Sequence, residues 1–197
     1  MDGQTHAALG AATALVVIRP AEPTTLIATA AVGAFAGILP DIDTGGKVAP
    51  IIHKITAAFV CIVCFFVCQA ALTGSTIIES IDDSGMAVNL LGLAILIGFS
   101  IFGDTQPHRG FTHSVLALLI SYFSTYLIFR NLALAFCIGY ASHLFIDLFN
   151  KKGEQLLWPL PYHWCFNLCK ANGLAALCTR MASYLVCIWY AAYLGLC

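Results

Sequence analysis

Apolar residues run through the chain in long blocks, and breakers or short polar stretches divide them into seven segments. These cover residues 5–18, 24–39, 55–73, 86–103, 112–129, 132–149 and 173–196. A bilayer core of about 30 Å takes about 20 helical residues, so these runs predict mostly membrane-spanning helices, the first two of them short. Between those two lies Arg19-Pro20-Ala21-Glu22-Pro23, whose prolines forbid a continuous helix. They are expected to form a hairpin of tilted or partial spans. Alanine and glycine dominate both, which lets helices approach closely.

Seven alternating crossings would place the N-terminus and the loops at 40–54, 104–111 and 150–172 on one face. The connections at 19–23, 74–85 and Arg130-Asn131 fall on the other, and none of them holds a histidine. The first face carries Lys47, Lys54, Arg109, Lys151, Lys152 and Lys170. The second carries Arg19 and Arg130 beside the acidic Glu79, Asp82 and Asp83. The excess of basic residues predicts that the first face is cytoplasmic.

Composition agrees with a membrane protein: 60% of residues are hydrophobic and 10% charged, against roughly 25% charged in soluble domains. The net charge of -1 gives no basic surface for nucleic acid. The length fits one domain over 1–197, and a start carrying Asp2 without a basic stretch does not read as a cleavable signal. The nine cysteines sit mainly in apolar segments. Cys61, Cys64 and Cys68, and the looser pair Cys165 and Cys169, are expected to be packing residues rather than a disulfide framework.

Ionisable side chains inside a membrane segment are costly and are functional candidates for that reason. The seven Asp and six His concentrate at segment ends. Five islands result: Thr5-His6; Asp41-Ile42-Asp43; His108-Arg109-Gly110-Phe111-Thr112-His113; His143 with Asp147; and a loop with Trp158, Pro159, His163 and Trp164. His143 and Asp147, four apart, share a helix face. They suit a shared metal, an imidazole oriented by a carboxylate, or a hydrogen bond stapling two helices. Asp41 and Asp43 can offer two carboxylates to a cation, and with Thr44, Gly45 and Gly46 they also fit a capped turn.

In the densest island Gly110 permits a sharp bend. Thr112 is the expected N-cap of the next helix, which puts His113 in its first turn. A ligand, a flexible cation and a helix N-terminus together suit an anion, above all a phosphate. An ordinary basic interface loop is the plainer alternative. His6 alone is as readily structural as ligating. His53 and His163 lack a partnering pattern and read as interfacial. Trp158, Pro159, Pro161, Tyr162 and Trp164 read as a segment at the headgroup level.

Thr5-His6 with Gly10, Leu39-Pro40-Asp41-Ile42-Asp43-Thr44, His108-Arg109-Gly110-Phe111-Thr112-His113-Ser114, and Gly139-Tyr140-Ala141-Ser142-His143-Leu144-Phe145-Ile146-Asp147 leading to Leu157-Trp158-Pro159 follow in this order. So arranged, they resemble the YdjM-like family of inner-membrane-associated metal-dependent hydrolases over nearly the whole chain. The second and third pieces together are specific. The resemblance implies a hydrolase and a metal shell of His6, Asp41, Asp43, His113, His143 and Asp147. Outside that shell, Arg109 would clamp a phosphoryl oxygen and His108 would protonate the leaving group or donate a hydrogen bond. Thr112 and Ser114 are expected to join Arg109 in holding the substrate. At fold level the family is similar to the all-helical zinc-dependent phospholipase C and nuclease group.

The fold expected is therefore an all-α polytopic membrane helix bundle of about seven mostly transmembrane segments, with a His/Asp metal site at one membrane face. The function expected is a membrane-bound metal-dependent hydrolase. Its substrate would be an amphiphilic or lipid-linked phosphoester met among membrane lipids, and metal-activated water would attack it. One or two divalent ions are implied; histidine favours zinc, and the carboxylates admit manganese or magnesium. The alternative is a non-enzymatic metal-binding membrane protein or transporter, which would need ligands near the bilayer midplane rather than at segment ends.

Overall fold

The computed structural model describes residues 2–43, 86–170 and 173–195. Among the described residues it holds six α-helices and no strand. They are α1 (Gly3–Ile18), α2 (Pro23–Ile38), α3 (Met86–Asp104), α4 (Val115–Ile128), α5 (Arg130–Asp147) and α6 (Leu174–Tyr193). Short 3₁₀ turns follow α2 at Leu39–Asp43 and precede α4 at Phe111–His113. Six of the seven predicted segments are thus helices. The segment at 55–73, with its three cysteines, lies outside the described residues, as do Thr44, Gly45, Gly46, Lys47, His53, Lys54, Glu79, Asp82 and Asp83.

Local chemistry sets the helix ends. Asp2 caps α1, accepting from the Thr5 N–H at 2.8 Å. Arg19 closes it in the left-handed region (φ 53°), with its N–H on the Leu15 carbonyl. Pro23 opens α2 where a missing N–H costs nothing. The cap of α4 corrects the sequence reading. It is Ser114, not Thr112, whose hydroxyl accepts from the Ala117 N–H at 3.1 Å. Both residue types cap well, and the 3₁₀ turn decides between them by taking Thr112 inside.

Small residues bring α1, α2 and α5 to close contact. A Cβ on Gly33 would lie 2.6 Å from the Gly10 carbonyl oxygen and 2.7 Å from Ala14 Cβ. A Cβ on Gly139 would land on the Gly33 carbonyl, with Gly33 Cα at 3.0 Å. Side chains larger than hydrogen would hold these backbones apart. α1 also packs on α6, and α4 joins α3 to α5. The central apolar cluster includes Leu39, Ile42, Leu96, Phe99, Phe111, Phe136, Tyr140 and Leu144.

The surface is apolar and several polar side chains are interior, the pattern of a chain solvated by lipid. Leu91, Ile101, Leu119, Phe123, Leu134, Leu185, Ile188 and Trp189 are exposed. Asn89, Ser121, Ser124 and Thr125 are buried, and Ser124 Oγ donates to the Gly92 carbonyl across α3 and α4 at 2.7 Å. Among the described residues, Pro23–Asp43 and Leu174–Tyr193 are long and apolar enough to cross a membrane. Gly3–Ile18, Val88–Asp104 and Val115–Ile128 are apolar but shorter. Of the seven expected segments, these two meet the length and composition of a span among the described residues. α5 has the length (18 residues) but carries Arg130, Asn131, His143 and Asp147.

Candidate metal centre

The antiparallel pairing of α1 with α2, and of α4 with α5, brings the start of α1, the end of α2, the approach to α4 and the end of α5 to one place. There the sequence islands meet. His6 Nε2 lies 3.1 Å from Asp147 Oδ1, and the His6 ring stacks on His143 with centroids 3.7 Å apart. His143 Nε2 faces His113 Nε2 at 3.3 Å. Asp41 Oδ1 is 3.7 Å from His113 Nε2 and 3.8 Å from His143 Nε2. All of these side chains are buried.

One hydrogen bond fixes a tautomer. His143 Nδ1 is 2.7 Å from the Gly37 carbonyl, which can only accept, so Nδ1 carries the proton. The Nε2 lone pair of neutral His143 then points at His113 and Asp41, as a metal-binding imidazole requires. Gly37 can come this close because a Cβ there would strike the His6 carbonyl. Burial opposes a charge on His113, but the facing carboxylates of Asp41 and Asp43 outweigh burial and raise its pKa to about 10. Two imidazole nitrogens and a carboxylate oxygen thus face one another, a donor set that could hold a cation.

Asp43 organises the rest. It accepts from His108 Nδ1 at 2.8 Å, from the Arg109 N–H at 3.1 Å and from Thr112 Oγ1 at 2.7 Å. Its Oδ2 also lies 3.5 Å from His113 Nδ1. His108 is 38% exposed, the one histidine of the group that reaches the surface. The sharp bend falls on Arg109 (φ 67°), left-handed for a non-glycine residue, with Gly110 tight against the Pro107 carbonyl. The Arg109 guanidinium turns inward, donating to Asp147 Oδ2 at 2.6 Å and to the Lys152 carbonyl. Thr112 is held by Asp43, and its carbonyl accepts from Tyr140 at 2.5 Å. The Ser114 hydroxyl donates to the Phe111 carbonyl while capping α4.

The donor set fits a divalent cation. His6, His143 and Asp147 offer ligand atoms within 4.8 Å of one another, and so do Asp41, His108 and His113. Mixed imidazole and carboxylate donors of this kind suit zinc or manganese. The family model described as YdjM inner membrane protein matches residues 1–197. The chain belongs to this family. Within curated sequences it is 45% identical over 62 residues to "Uncharacterized protein YvsG" of Bacillus subtilis (strain 168), a stretch covering 30% of this chain and 36% of that one. The match thus spans about a third of the relative's length. No solved structure matches.

The family-like islands do not include every residue at the centre. Asn150 Nδ2 donates to Asp147 Oδ1 at 2.6 Å. Its place three residues beyond Asp147 was the available signal. Glu154 is wholly buried beside the histidines. It stands between Gly153 and Gln155 in a loop that hydropathy does not single out. From the aromatic island of the same loop, Tyr162, His163 and Trp164 are exposed. Trp158 instead packs edge-on against Phe102 and Phe111, part of the core rather than a headgroup anchor.

Burial pushes the Glu154 carboxyl up to about 8. Glu154 and His113 therefore both hold protons more tightly in the fold than in the unfolded chain. Their joint contribution to the stability of chelator-treated protein is expected to fall as pH rises. Glu154 loses its share between 4.5 and about 8, and His113 between 6.5 and about 10. Unfolding titrations in SDS at stepped pH measure this; stability rising through that window would contradict it.

Proposed function

We propose that the chain is a membrane-bound metal-dependent hydrolase, a phosphoesterase acting on an amphiphilic or lipid-linked phosphate at the cytoplasmic face of the inner membrane. The observation that carries this reading is the convergence of His6, Asp41, His113, His143 and Asp147 in one buried cluster, with the Asp43–His108 pair leading to the surface. A divalent cation held by these side chains would supply Lewis acidity, activating water and polarising a phosphoryl oxygen.

The chain's own groups suit the remaining steps. Asp43 holds His108 Nδ1 at 2.8 Å, which leaves Nε2 directed away from the carboxylate and able to deliver a proton to a leaving oxygen. Arg109, anchored on Asp147, keeps a positive charge beside the cluster. The exposed apolar helix surfaces suit a setting in which the substrate carries a lipid tail. Transport of the metal is the less fitting use, because the donors sit at helix ends rather than midway along them.

The test is metal analysis of detergent-purified protein, joined to a screen of phosphoesters and lipid phosphates. His143→Ala is expected to lose metal and activity together. His108→Asn is expected to keep metal and to hydrolyse roughly a hundredfold more slowly. Full metal retention in His143→Ala would sink the site, and metal without hydrolysis of any ester would sink the reaction.

A further inference from the structure

Glu154 is 0% exposed, and neither carboxylate oxygen has a hydrogen-bond partner. A buried polar group is ordinarily satisfied, and an ionised carboxylate left alone in the interior is among the costliest arrangements in a fold. Its backbone is not loosely placed. The Glu154 N–H donates to the Trp164 carbonyl at 2.9 Å, the Trp164 N–H returns to the Glu154 carbonyl at 2.8 Å, and the Gln155 N–H donates to the Arg109 carbonyl at 3.0 Å. This pairing drives the side chain inward against His113 and Asp147. One ligand atom from each of the three lies within 4.8 Å of the others.

The neighbouring cation does not answer for it. Arg109 directs its terminal nitrogens to Asp147 Oδ2 and the Lys152 carbonyl, and its buried Nε makes no hydrogen bond to Glu154. Four buried carboxylates (Asp41, Asp43, Asp147 and Glu154) thus share the centre with one buried guanidinium and the His113 imidazole. Such an excess of negative charge is stable only with protons or cations among the carboxylates.

We infer that Glu154, His113 and Asp147 form a second divalent-cation position beside the one built by His6, His143 and Asp147. This assignment rests on the reading of the cluster as a metal centre and extends it. Asp147 belongs to both groups, and His113 joins Glu154 to the Asp41 side. One imidazole and two carboxylates make the second position the more oxygen-rich, suited to manganese, magnesium or zinc. Paired cations sharing a carboxylate are a recurrent arrangement for clamping a phosphoryl group.

The experiment uses the full chain in detergent, stripped with chelator and reloaded with Mn²⁺ alone. Metal per chain is measured by mass spectrometry and spin coupling by electron paramagnetic resonance. Wild type is expected to hold roughly two ions per chain with a coupled spectrum. Glu154→Gln, which keeps the shape of a group that makes no hydrogen bond, is expected to hold about one ion with an isolated-ion spectrum and an unchanged elution profile. Glu154→Asp is expected to recover the second ion in part. If Glu154→Gln matches wild type in metal content, Glu154 is a neutral buried acid and the second position is refuted. Loss of all metal in that variant refutes it equally, since the two positions would not be separable. Absence of metal from wild type would overturn the hydrolase reading as well, so the two failures are distinct.

Discussion

Asp43→Ala is expected to empty the centre of metal and to lower the stability of the fold by roughly 3 kcal/mol. Asp43 is the shared acceptor for His108, the Arg109 N–H and Thr112. Removing it leaves the buried Arg109 amide without a partner and the Thr112 hydroxyl with only His113 Nδ1, at 3.1 Å. Each such loss costs about 1–3 kcal/mol. The left-handed backbone at Arg109 persists only while its surroundings hold it, so the loop is expected to relax and to carry His113 away from Asp41. The readouts are metal content and the SDS midpoint. Unchanged values for both would mean that Asp43 is a solvated turn residue and that the loop is ordered by something else.

Gly139→Val is expected to be more damaging still. Its Cβ would press into the Gly33 backbone, and overpacking a tight site typically costs about 1–3 kcal/mol even where side chains can yield. Here the obstacle is main chain, which yields less. His143 stands one turn beyond Gly139, and Gly37 one turn beyond Gly33. Forcing α5 from α2 therefore breaks the bond that sets the His143 tautomer. Fluorescence-detected gel filtration is expected to show little folded protein, and any folded fraction is expected to bind metal weakly. Wild-type metal affinity in Gly139→Val would separate the helix packing from the site.

The six described helices were legible because their apolar runs are long and breakers and charges mark the ends sharply. The convergence of His6, Asp41, Asp43, His113, His143 and Asp147 followed from ordinary helix alternation, which returns every second end to the same side. Finer matters were not legible. Ser114 and Thr112 are equally good caps, and only the 3₁₀ turn separates them. Trp158 is as suited to an interface as to a core, and its packing against Phe111 settles the matter. Glu154 lacked any periodic or motif context. Its inward direction comes from a backbone pairing with Trp164 that no short pattern encodes.

Potential ligands come from two helical hairpins distant in the chain: His6 and Asp41 from the first, His113, His143 and Asp147 from the second. An ion gripped by both would act as a rivet, binding the closed arrangement and not the separated hairpins. At a free concentration a hundredfold above its dissociation constant it would add about 2.7 kcal/mol. Metal supply would then govern how much of this protein escapes proteolysis in the cell, before any question of turnover arises.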